Sequence, residues 1–239
     1  MIVALAFCPG PPVLVPEMAA GASVELAGLR LACETAVSVL LDENPDEIVV
    51  VGAGSVSREH ASDAAGTFGG YGVDLRVGGT GPGELPLSLA VGAWLLDRAG
   101  CALPRTYVEI GADESTAEAE AAGLALATRA GRTALLVMGD GSAGRTPKAP
   151  GTYDPGAEGY DRALAAALAV GDAPALSRLD AAEAARLQVS GRAAWQVAAA
   201  AARALGGPVT AELLADEAPY GVGYFVATWL PTVVSTESI

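Results

Sequence analysis

The feature that most limits the fold is the run Ile48-Val49-Val50-Val51-Gly52 inside "DEIVVVGAGS". Consecutive β-branched side chains favour extended backbone. With no polar residue interleaved, both faces of such a strand need cover, which places it inside a parallel sheet between layers. The preceding residues supply one layer. In "SVELAGLRLACETAVSVLL", Leu26, Leu29, Cys33, Val37 and Leu40 recur at helical spacing, and Ser23 stands where an N-cap belongs. Upstream, the apolar residues Ile2 to Phe7 form a strand that must stop at Cys8-Pro9-Gly10-Pro11-Pro12, because proline fixes φ and donates no amide hydrogen. Strand, helix, strand is the start of a right-handed βαβ arrangement.

The same alternation continues. "LPLSLAVGAWLLDRAG" reads as a helix, "RTYVEIG" as a strand, "STAEAEAAGLALATRAG" as a helix opened by a Ser115–Glu118 capping box, and "RTALLVMGDGS" as a fourth core strand. The stretch from Ser55 to Pro86 reads as an irregular excursion with at most a short strand at "VDLRV". Beyond Tyr153 come alanine-rich helices in "AEGYDRALAAALAVGD", "DAAEAARLQVSG" and "AAWQVAAAAARALGG", then two strands in "PVTAELLADE" and "GVGYFVATW". No linker or repeat divides the chain. The expectation is one α/β domain over residues 1–239, with a central mixed, mostly parallel sheet flanked by helices on both faces.

Composition narrows the function classes. With 51% hydrophobic residues in 239 the chain can bury a large core. Its net charge of -14 repels phosphate backbones and anionic lipid, so neither nucleic acid nor membrane is an expected partner. Cys8, Cys33 and Cys101 form neither a disulfide framework nor a metal spacing, and a reducing cytoplasm is the expected location. Should the apolar "GVGYFVATW" end and Trp229 stay exposed, a homo-oligomer is the expectation.

Two glycine-rich turns invite three chemical readings. "GAGSVS" at Gly52 lacks the third glycine and the firm helix of a dinucleotide site. "GDGSAGRT" has P-loop spacing, but Arg145 stands in place of lysine and Pro147 and Pro150 disfavour a following helix. Ser142 in "GDGSAG" only loosely matches a nucleophile elbow and lacks a nearby histidine. The sole histidine, His60, cannot build a two-imidazole metal site and reads as a surface-loop residue. Asp140, Glu109, Asp113 and Glu217 could hold Mg²⁺ or Ca²⁺, though their spacing does not require it.

Taken in order, "CPGPPVLVPE", "LRLACETAVSVLL", "DEIVVVGAGS", "TALLVMGDGSA" and "APYGVGYFVATW" resemble the LigB-like catalytic subunit family of class III extradiol ring-cleavage dioxygenases, in its short subunit-B-like branch. The resemblance implies a LigB-like three-layer α/β sandwich in which two histidines and a glutamate hold non-haem Fe(II). It aligns the family's first ligand histidine with Gly10, its second with Gly54 and its acid/base histidine with Ala143, and Glu217, or its competitor Glu212, with the carboxylate ligand. The imidazoles that chemistry needs are absent. The resulting expectation is a relative without iron or other cofactor, whose proline-braced turn is a ligand mount without its ligand. Its pocket of Pro9, Gly10, Pro11, Gly54, Ser55, Asp140, Ser142, Ala143 and Tyr220 would bind a small aromatic ligand or a protein. The alternative is an enzyme of altered chemistry using Asp140 or Glu217 as acid/base or as a hard-cation ligand.

Overall fold

The computed structural model describes residues 1–19 and 24–232. Its main sheet has seven strands in the order β3-β6-β2-β7-β1-β9-β8, with β1 at Ile2–Cys8, β2 at Glu47–Gly54, β3 at Arg58–His60, β6 at Arg105–Gly111, β7 at Thr133–Met138, β8 at Val209–Glu217 and β9 at Tyr224–Pro231. The four interior neighbours β6, β2, β7 and β1 run parallel. β3 and β9 pair antiparallel at the two flanks, and β8 closes the edge on β9. The β-branched run behaves as its composition demands: Ile48, Val49, Val50 and Val51 are all 0% exposed. Ile48 and Val50 enter one core, Val49 and Val51 the other.

Helices α2 (Ala27–Asp42) and α3 (Leu87–Arg98) cover the first face. The second is covered by α4 (Thr116–Ala127), α5 (Ala157–Val170), α6 (Ala173–Ser177) and α8 (Arg192–Arg203). The short α1 (Pro16–Ala19) and α7 (Ala181–Arg186) complete the α-helices among the described residues. This is the three-layer α/β arrangement expected from the strand and helix pattern. The Ser115–Glu118 capping box forms as anticipated. Alanine at nearly every inward position lets α8 lie close on the sheet, where Ala193–Ala202 are buried without exception.

Four expectations need correction or qualification. Ser23 lies outside the described residues, and α2 begins only at Ala27, with Leu26 at its N-cap making no side-chain bond. The 55–86 excursion is not irregular throughout: β3 joins the main sheet, while β4 (Ala65–Thr67) and β5 (Arg76–Gly78) form a two-stranded ribbon. Strands of three residues carry no readable periodicity and are fixed by the partners they meet. α6, with Pro174 in its first turn and Asp172 capping it, was not anticipated. Finally, Trp229 offers no exposed apolar end. It is 0% exposed, its indole N–H donates to Leu168 O at 2.8 Å, and its ring lies 4.8 Å from that of Phe7. No helix of the described residues is long and apolar enough to cross a membrane.

Candidate functional site

The parallel strands β1, β2 and β7 end along the same edge of the sheet. Beyond that edge, the chain leaves β1 and β2 toward the α2/α3 face, but leaves β7 toward the α5/α8 face. Diverging connections open a crevice outside the strand ends, the place where open α/β sheets bind ligands. Here it is a cleft of ≈ 220 Å³ lined principally by Gly10, Ala53, Ser88, Met138, Asp140 and Ser190.

Asp140 organises it. The Gly10 amide donates to Asp140 Oδ1 at 2.8 Å, and the Asp140 amide donates to Ser190 Oγ at 3.1 Å. The Gly191 amide donates to the Asp140 carbonyl at 3.0 Å, and Gly139 N–H to Cys8 O at 3.0 Å ties the end of β7 to that of β1. Pro9 and Pro11, both buried, brace Gly10 so that its amide points at the carboxylate. Burial pushes the Asp140 carboxyl up to about 6, with the Gly10 amide pulling weakly the other way. Ser88 donates to Ala53 O at 2.5 Å.

The other expected pocket residues lie elsewhere. Gly54 and Ser55 sit under Glu109, whose carboxylate takes the Ser55 amide at 2.8 Å, Arg58 Nε at 2.9 Å and His60 Nε2 at 3.0 Å. His60 is therefore no surface-loop residue. It is 8% exposed on β3, turned inward because the short strand pairs with β6 and puts the ring against a carboxylate that is itself 2% exposed. Burial pushes Glu109 up, but Arg58, the Ser55 and Val56 amides and His60 together hold it below the usual carboxylate range. Ser142 is fully buried and donates through N and Oγ to Asp161 at 2.9 and 2.7 Å, so its hydroxyl anchors a loop and is not displayed as a nucleophile. Ala143 is held through its amide by Leu187 O, and Tyr220 donates its hydroxyl to Glu25 at 3.0 Å. Glu217 is exposed on the edge strand β8, as is Glu212. The cleft thus unites Gly10 and Asp140 from the expected set.

Ser88 and Ser190 went unnoticed because a serine in a helix or a loop carries no pattern. The buried Asp161 and Arg192 (1% and 3% exposed) escaped for another reason: each looks like an ordinary helix charge until the fold encloses it. Glu109 did leave a signal, a lone carboxylate in the apolar strand "RTYVEIG".

The donor set implied for Fe(II) does not fit. Gly10, Gly54 and Ala143 offer no side-chain nitrogen, and Glu217 and Glu212 are exposed on the edge strand β8, outside the Gly10–Asp140 cleft. Among the described residues no group of three or more His, Cys, Asp or Glu is placed to hold a metal ion. Neither turn that mimics a nucleotide site leads into a helix: "GAGSVS" runs into β3, and no helix follows "GDGSAGRT" before α5.

No protein-family model and no curated protein matches the chain. Among solved structures it is similar to the crystal structure of the uncharacterized protein JW3007 from Escherichia coli K12, with 12% identity over 95% of this chain and 99% of that one and a TM-score of 0.49.

Proposed function

We propose that this chain binds a small, ring-sized ligand bearing a hydroxyl or amine donor in the Gly10–Asp140 cleft, and that it has lost Fe(II) binding and ring cleavage. One observation carries the reading: a half-buried carboxylate at a strand-end crevice has Oδ1 fixed by the Gly10 amide, while Oδ2 has no protein partner among the described residues. A ligand O–H or N–H would complete it. Met138, Leu87 and Ala53 supply the apolar wall. The cleft volume of ≈ 220 Å³ lies below the ~300–1,000 Å³ of drug-sized sites, which favours a single ring. The resemblance to extradiol dioxygenases supports the aromatic class, and the missing imidazoles support the loss of iron chemistry.

A second reading rests on the same residue. A carboxyl lifted to about 6 exchanges its proton near neutral pH, as a general acid/base must. Glu217 has no such support, being exposed on an edge strand outside the cleft. A thermal-shift screen of small hydroxylated and amine-bearing aromatics tests the binding reading. Native-state ligands must raise the melting temperature of the wild type, and Asp140→Asn must blunt that rise. A screen without any stabilising compound sinks it. For the second reading, any turnover found must vanish in Asp140→Asn, whereas equal activity in the variant removes its candidate.

A further inference from the structure

A second cleft, of ≈ 440 Å³, lies between the β6–α4 connection and α7, and meets the Asp140 cleft only at Ser190, which lines both. Its walls are mostly small and apolar (Ala112, Ala181, Ala185 and Val189 among them), and Arg192 stands in its lining. Arg192 is 3% exposed. Its guanidinium donates from Nη2 to the carbonyls of Ala112 and Glu114 at 2.7 and 2.6 Å and from Nη1 to Gln196 Oε1 at 2.9 Å. Those partners are neutral, and no carboxylate among the described residues pairs with it. Asp113, the acidic side chain in the lining, is exposed and forms no ion pair with it. Nε–H and the second Nη1–H are left without an acceptor among the described residues.

An enclosed cation without a counter-charge is costly, and that cost falls when an anion arrives. The backbone adds to the attraction. Arg192 is the first residue of the twelve-residue α8, whose N-cap, Gly191, provides no side-chain oxygen, so the positive end of the helix also faces this region. With one guanidinium, an acidic neighbour and a protein of net charge -14, the balance suits a single negative charge better than a phosphate dianion. The alanine and valine walls suit a compact branched hydrocarbon.

We propose that this cleft binds a small branched monocarboxylate, its carboxylate on the Arg192 guanidinium and its hydrocarbon against α7. The site stands independently of the Asp140 cleft. It is tested by thermal shift at constant ionic strength with isobutyrate, its neutral isostere isobutyramide, and inorganic phosphate. Isobutyrate must raise the melting temperature by about 2–4 °C, isobutyramide must not, and phosphate must do less. Ala185→Glu, an exposed change that sets a carboxylate in the same lining, must abolish the response. Arg192→Gln must do the same if it folds. Asp140→Asn must retain it. The proposal is overturned by an equal shift with isobutyramide, by a larger one with phosphate, by no shift with isobutyrate, by an Ala185→Glu protein that responds like wild type, or by loss of the response in Asp140→Asn.

Discussion

Gly10 and Gly54 close two parallel strands of one sheet, yet the space a side chain would take at each is used in opposite ways. At Gly54 it is full: a Cβ there would stand 2.1 Å from Glu109 Oε1 and 2.4 Å from its Cγ and Cδ. At Gly10 it is open, with Ser88 Cα the nearest atom at 3.5 Å. Both glycines sit beside a carboxylate. Glu109 is closed off by Arg58, His60 and two amides and is held ionised, whereas Asp140 has the Gly10 amide as its side-chain partner and is pushed toward its neutral form. The difference separates a structural carboxylate from an available one. Satisfied hydrogen bonds make a buried charge part of the scaffold, and unsatisfied ones leave it for a ligand.

The sharpest way to break this contrast is Glu109→Ala. It removes the acceptor of two backbone amides, Arg58 and the buried His60, and the expected loss in urea unfolding is about 3–5 kcal/mol. A loss below about 1 kcal/mol means the Glu109 cluster is not structural. Next comes Gly54→Ala, whose Cβ must displace a pinned carboxylate, at an expected cost of about 1–3 kcal/mol by the same measurement.

Asp140→Asn sharpens the comparison through pH. Because the folded protein raises the Asp140 pKa, the native state binds more protons than the unfolded chain between the usual aspartate range and about 6. Wild-type stability from this group therefore falls as pH rises through that window. Asp140→Asn is expected to equal the wild type near pH 4 and to exceed it by about 1–3 kcal/mol above pH 6, since each pKa unit corresponds to about 1.4 kcal/mol. Glu109 has the opposite sign, its contribution being present at neutral pH and lost on acidification. Denaturant midpoints across pH for both variants check the two signs, and a wild-type-like profile in Asp140→Asn removes the raised carboxyl from the account. The smallest effect belongs to Gly10→Ala, expected within about 1 kcal/mol because nothing lies closer than ordinary contact and φ at Gly10 is not positive. That variant is expected to lose ligand stabilisation in the Asp140 cleft while keeping its fold.

The layers were legible from particular residues. Val49 to Val51 required cover on two faces, the Leu26-to-Leu40 spacing marked α2, and Ser115 with Glu118 marked the start of α4. Each is a short-range pattern whose consequence is local. The site was legible only at Gly10 and Asp140, where proline and glycine turns follow clear strands. Ser190 and Ser88 come from distant loops and helices with no pattern of their own, and nothing beside Gly54 in the chain reveals that Glu109, fifty-odd residues away, fills the space there.

By itself the sequence determined the alternation of strands and helices, the double-sided burial of the interior strands, and the absence of imidazoles at the strand-end turns. Those follow from periodicity, backbone chemistry and composition, which act over a few residues. Only the tertiary structure decided that the space at Gly54 is filled, that the space at Gly10 opens on Asp140, that His60 is enclosed and that Arg192 is buried without a counter-charge among the described residues. Burial and the partner of a charge are set by residues far apart in the chain, so electrostatic fate is a property of packing and cannot be read from the order of residues.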